Sequence, residues 1–176
     1  MKLYVVRHAQ ADHNILDISN DATSSVAHLT QVGIEQAQAL AGSIKNTTFD
    51  VIYTSEMERT IETADILRPH QNKIKDLRIN DIRTGMEGRP FNDFRQALAR
   101  SDDHWNVRFG DGESFSDEKA RTVNFLNDLK KNDYKNVLVV THGGVANIIY
   151  GLSHGLSNED TFNREIHNAS IFEVNI

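Results

Sequence analysis

Two histidines stand where a substrate could reach them. His8 follows the apolar run Leu3 to Val6 after Arg7, and His142 follows Val137 to Val140 after a single Thr. Unbroken Val-rich runs of this length read as strands buried on both faces. Ligands of open parallel sheets bind beyond the carboxyl ends of such strands. Each imidazole is followed by small residues, Ala9 and Gly143-Gly144, which let a substrate come close. One such histidine would more simply cap its strand by bonding to backbone. Two of them, with Arg7 beside the first, favour chemistry. A neutral imidazole nitrogen is a competent nucleophile near neutral pH, and a guanidinium matches phosphate oxygens with a planar fork of donors. Arg59 supplies a second fork in the first turns of a helix expected to begin at Ser55. By itself Arg59 reads as a surface partner of Glu56 or Glu62; its weight comes from its address. Imidazole between arginines points to phosphoryl transfer, with positive charge keeping His8 unprotonated and stabilising the phosphoryl oxygens. A carboxyl group is then needed to protonate the leaving oxygen.

The elements that must position these groups alternate along the chain. Leu3 to Val6, Phe49 to Tyr53 and Val137 to Val140 read as strands, Lys73 to Ile79 as a weaker one, and the alternating tail Ser170 to Ile176 as a strand at or near a sheet edge. Thr30 can cap a helix with the stripe Ile34, Ala37, Leu40, Ala41 and Ile44. Ser55 and Glu58 form an S-x-x-E capping box for a helix ending near Leu67, before Arg68-Pro69. Ser114 or Ser116 opens another carrying Val123, Leu126 and Leu129, and Gly143-Gly144 leads into a short one through Tyr150. The expected fold is a three-layer α/β/α single domain over 1–176, its central sheet open and mostly parallel, with a small lid insertion at about 82–112. From Arg83 to Arg108 no period is evident, and five Arg stand against four acids. A long irregular stretch of this kind is read as a lid over a site.

Composition narrows the function. The 176 residues carry 19 Lys plus Arg against 25 Asp plus Glu, a formal charge of -6, which argues against a nucleic-acid binder. Without cysteine there is neither a disulfide framework nor a thiolate site. No apolar run approaches the roughly 20 residues needed to span a bilayer, and the opening residues do not read as a signal peptide. A cytoplasmic protein is expected.

Several blocks taken together resemble the histidine phosphatase superfamily, the phosphoglycerate mutase-like proteins. They are Arg7-His8-Ala9, Asn14, Leu29-Thr30-x-x-Gly33, Ser55-x-x-x-Arg59-x-x-x-Thr63-Ala64, Gly112-Glu113-Ser114 with Arg121, Val139 to Gly144, and Asn168-x-Ser170-Ile171. They fall in the family's order across nearly the whole chain. The resemblance implies that His8 becomes phosphorylated while Arg7, Arg59 and His142 clamp the phosphoryl group, with Asn14 and Gly143 also at the substrate. It implies no metal and no organic cofactor. The family's acid sits in a segment like E-x-x-x-G-x-W-E-G, matched here by Asp81 to Gly88, which makes Asp81 the candidate acid and Glu87 the fallback. Ala9 stands for the commoner Gly, Glu56-Met57 for Pro-Leu, and Met86 for the Trp.

The expected activity is cofactor-independent hydrolysis of phosphomonoesters of a small phosphorylated metabolite through phospho-His8. Three other readings keep the same fold: mutase-type phosphoryl transfer, a protein phosphohistidine phosphatase, and a non-catalytic phosphate-binding protein. The short chain lacks the longer insertions of the glycolytic mutases, which favours hydrolysis. Arg83, Arg89, Arg95, His104 and Trp105 are candidate contacts to the rest of the substrate. Oligomeric state is not legible.

Overall fold

The computed structural model describes residues 1–21 and 26–176. Its five strands are β1 (Lys2–Arg7), β2 (Val51–Thr54), β3 (Lys73–Lys75), β4 (Asn136–Thr141) and β5 (Ile171–Asn175). They form one sheet in the order β3-β2-β4-β1-β5. Every pairing is parallel except that of β5, which runs antiparallel along β1. The expected architecture is observed, with the C-terminal tail at the edge.

Period-2 alternation explains the layers. Leu3, Val5, Val137 and Val139 point to one face and pack with Phe125, Leu126 and Leu129 of helix α5 (Phe115–Leu129) and Val145 and Ile149 of α6 (Gly143–His154). Tyr4, Val6, Leu138 and Val140 point to the other, against Leu40 of α2 (Gln31–Ser43) and Ala64 and Leu67 of α3 (Glu58–Leu67). Each of these buried Leu and Val side chains contributes about 1.5–3 kcal/mol by leaving water. Arg7 pairs with Thr141 in the ladder, and the His8 N–H continues it by donating to the Thr141 carbonyl at 2.9 Å. His8 and His142 therefore emerge side by side at one edge of the sheet, where β2 also ends.

Helix ends match expectation in part. Thr30 caps α2 through the Gly33 N–H, and Ser114 caps α5 in a reciprocal box with Asp117. Ser55 does not cap α3. That helix starts at Glu58 after Met57, which makes no side-chain cap, so the Ser55–Glu58 box is absent. The Ser55 hydroxyl is engaged elsewhere, accepting from the Met57 N–H and lying 2.8 Å from both Thr60 Oγ1 and His142 Nε2. The weaker strand is three residues long and gives way to a 3-10 turn at Leu77–Ile79. The stretch from Arg83 to Arg108 is not wholly irregular: it holds α4 (Phe91–Ala99), with Phe94 and Leu98 buried. Pro90 precedes that helix without a side-chain cap, which removes the usual start signal. Helix α6 runs four residues past Tyr150 to a Gly155 in the left-handed region, φ 64°. Two further short helices, α1 (Asp12–Leu16) and α7 (Asn158–Phe162), complete the described elements.

Candidate active site

A cavity of about 720 Å³ opens over the carboxyl edge of the sheet. Arg7, His8, Asn14, Asp81 and Gly143 line it, together with His13. Arg59 lies just beneath, 1 % exposed.

His8 is buried, and its ring is fixed by one contact. Nδ1 is 2.7 Å from the Ala9 carbonyl oxygen. A carbonyl can only accept, so Nδ1 carries the proton and Nε2 keeps the lone pair. The His8 pKa is driven well below its ordinary value, first by burial and then by Arg59, His142 and Arg7. Charge alone was the expected cause; removal from water is the larger one. His142 is depressed in the same direction for the same leading reason. The two rings meet edge to face, centroids 5.2 Å apart. Ala9 stays out of the left-handed region, so Gly is not needed there.

The guanidinium groups are held but not saturated. Arg59 donates to Asn20 Oδ1 at 2.7 Å, to the Asn20 carbonyl at 3.0 Å and to Asp81 Oδ2 at 3.1 Å. Arg7 donates to the Ile166 carbonyl at 2.5 Å. The Nε of each is buried without a partner among the described residues, a donor set suited to an oxyanion. A Cβ on Gly143 would lie 3.6 Å from Arg7 Nε, an ordinary van der Waals contact. Asn14 is partly committed to structure: Oδ1 accepts from the Ala11 N–H at 3.0 Å, which directs Nδ2 to His13 Nε2 at 3.0 Å. Burial and Arg59 bring the His13 pKa down to about 4, so that ring is neutral too. Asn168 Nδ2 donates to the His8 carbonyl at 3.0 Å and steadies the loop after β1.

Asp81 stands between the clamp residues. Its Oδ2 touches Arg59 and lies 3.4 Å from His142 Nδ1. Arg121 fixes that segment by donating to the carbonyls of Arg78, Asn80 and Asp81. Glu87 is turned elsewhere, accepting from the Asp21 N–H at 2.6 Å and from Asn20 Nδ2. Of the outer candidates, Arg95, His104 and Trp105 line the cavity, and Arg83 and Arg89 do not. Arg89 is paired with Asp93.

Sequence reasoning passed over Asn20, Glu118 and Asn147. Asn20 carried no local signal. Glu118 did: it lies four residues before Thr122 and seven before Phe125, so an acid occupies the core-facing stripe of α5. Among the described residues no set of three His, Asp or Glu is placed to hold a metal ion. Nor is any described helix long and apolar enough to cross a membrane.

Comparison with known proteins places the chain in a family. The chain is 31% identical to a candidate phosphoserine phosphatase of Hydrogenobacter thermophilus, over 99% of this chain and 89% of that protein. It superposes on the α-ribazole phosphatase of Shigella flexneri with a TM-score of 0.86 and 25% identity, covering 100% and 91% of the two chains. A 2,3-bisphosphoglycerate-dependent phosphoglycerate mutase of Thermoplasma acidophilum is 28% identical over 100% of this chain and 88% of its own length. Chain length therefore does not separate hydrolysis from mutase chemistry, contrary to expectation. The model of the histidine phosphatase superfamily (branch 1) matches residues 3–176, and the chain belongs to that family.

Proposed function

We propose that the protein is a phosphatase of small phosphomonoesters that works through a phosphohistidine on His8. The observation that carries this reading is the Nδ1–H contact to Ala9, which leaves the lone pair on Nε2 of a neutral ring that has Arg59, His142 and Arg7 around it. In the first step His8 Nε2 forms a bond to phosphorus as the ester P–O bond breaks. Asp81 gives its proton to the departing oxygen. The arginines and His142 hold the three phosphoryl oxygens as charge moves among them. In the second step water attacks the phosphorus of phosphohistidine, Asp81 takes back a proton, and the N–P bond breaks to release inorganic phosphate. Relatives named for phosphoserine and α-ribazole phosphate support a small substrate, and the cavity is of a size for one. No step uses a metal, and the reading keeps the protein in the cytoplasm with its metabolite.

Turnover of an aryl phosphate with chelator present tests the scheme. His8→Ala is expected to lose at least about a thousandfold in kcat with its circular dichroism intact, and Asp81→Asn to lose about 10²–10⁴-fold on an alkyl phosphate. Acid-labile label from ³²P substrate should appear on His8. Turnover retained by His8→Ala, or abolished by the chelator, would overturn it.

A further inference from the structure

The two ends of the cavity are opposite in chemistry. The sheet edge presents a donor, the guanidinium group of Arg7, with that of Arg59 buried just beneath. The wall between α5 and α6 presents acceptors. Glu118 comes from α5 and is fully buried, and neither of its carboxyl oxygens accepts a hydrogen bond from any described group. Asn147, one turn into α6, is in the same condition at Oδ1. Its Nδ2 donates to the Arg164 carbonyl at 2.9 Å, which fixes the amide with its oxygen left over. Both residues line the cavity. The nearest cation does not complete the carboxyl. Arg121 Nη2 is 3.8 Å from Glu118 Oε1, beyond hydrogen-bond reach, and it already serves Glu113 and three carbonyls.

Space for this carboxyl is built into the neighbouring helix. A Cβ at Gly144 would stand 2.7 and 2.8 Å from its two oxygens, so α6 gives up a side chain where α5 inserts an acid. A buried acceptor without a donor is costly, and an apolar residue would suit the stripe better. Once the carboxyl gives up its proton, three oxygens are left to accept, which calls for a ligand rich in N–H donors, and a carboxylate favours a cationic one. We propose that Glu118 and Asn147 receive a primary ammonium group on the alcohol part of the substrate, so that phosphomonoesters of amino alcohols are selected over those of neutral alcohols. Burial holds the Glu118 pKa up to about 8, so the carboxyl loses its proton to solvent as the ammonium group arrives and the ion pair forms. This inference rests on the phosphatase reading only for the fate of the ester; recognition does not require turnover.

Phosphonates separate the two questions, because their P–C bond is not cleaved by phosphoryl transfer. Calorimetric titration of the unmodified protein would compare 2-aminoethyl-, 3-aminopropyl-, 2-hydroxyethyl- and n-propylphosphonate. At least one amine is expected to bind tenfold or more tightly than the propyl compound, with about one more proton released at pH 7. In Glu118→Gln the ratio should fall toward one and the extra proton release should vanish. Circular dichroism checks that Glu118→Gln is folded, and Asn147→Leu provides a second variant expected to narrow the ratio. Equal binding of all four, a preference for the hydroxyl compound, no binding of any, or a preference retained in Glu118→Gln would overturn the proposal. Aryl phosphate turnover measured on the same samples reports on the phosphatase reading independently.

Discussion

Glu118 ties selectivity to stability at the scale of a single residue. An unfolded glutamate ionises near 4.5, whereas the folded protein holds this proton to about 8, because burial outweighs the attraction of Arg121, and Asp81 and Glu113 push in the same direction as burial. Between those two values the folded state binds more protons than the unfolded one, so stability falls as pH rises. The loss begins above about 4.5 and is complete once pH passes about 8. It amounts to a few kcal/mol, on the order given by one unit of pKa per 1.36 kcal/mol. Glu118→Gln is therefore expected to melt several degrees higher than the unmodified protein at pH 8.5 and at nearly the same temperature at pH 4.5. Differential scanning calorimetry at both pH values decides the matter. A gap that does not change with pH would mean that the carboxyl is ionised, or wet, throughout. His8 and His142 make the complementary case, since the same burial disfavours their charged forms and leaves both rings neutral.

Among the elements, α2 illustrates how packing overrides propensity. Gly33 and Gly42 both lie in this helix, and replacing glycine by alanine in a helix interior is worth up to about 1 kcal/mol from propensity alone. At Gly42 a Cβ would meet nothing within 4 Å. At Gly33 it would fall 2.0 Å from the Gln10 carbonyl oxygen, which also accepts from the Thr30 N–H. Gly42→Ala should thus raise the melting temperature by about 2–4 °C, while Gly33→Ala should lower it by about 5–10 °C. Gln10 is two residues past His8, so Gly33→Ala should also reduce turnover well below the melting transition. Thermal unfolding and assay at 20 °C check both, and a stabilised Gly33→Ala would sink the packing argument. The same contrast explains what the sequence made legible. The strands, their buried faces and the Thr30 and Ser114 caps follow from periodicity and side-chain chemistry that act locally. Helix α4 was missed because its start carries Pro90 rather than a capping side chain. Ser55 looked like a cap because spacing cannot reveal that its hydroxyl is already held near His142 and Thr60.

At the scale of the whole molecule, the candidate site is assembled from positions far apart in the chain: Arg7 at the end of β1 and His8 just beyond it, Arg59 in α3, and His142 after β4. Such a site exists only while the sheet exists. Urea is expected to abolish aryl phosphate turnover and far-ultraviolet circular dichroism with the same midpoint, as in a two-state domain. An earlier loss of turnover would mean that the clamp opens locally. Arg7, His8, Arg59 and His142 could be nominated from sequence because strand ends and helix starts gave them addresses. Glu118 left a signal in the stripe of α5, but its pairing with Asn147 could not be read, because it exists only where two helices meet beside Gly144. The ladder pairing of Arg7 with Thr141 carries one more consequence. Neighbouring strands are spaced at about 4.8 Å, and the next residues on each, His8 and His142, place their rings 5.2 Å apart. The ladder thus brings the two residues side by side, and their rotamers turn the rings edge to face across that gap. On the proposed reading, the phosphoryl-binding groups come from the carboxyl edge of the sheet and the start of α3, whereas the selecting pair comes from α5 and α6. Exchanging residues on those two helices would then change the substrate while the proposed chemistry stays in place.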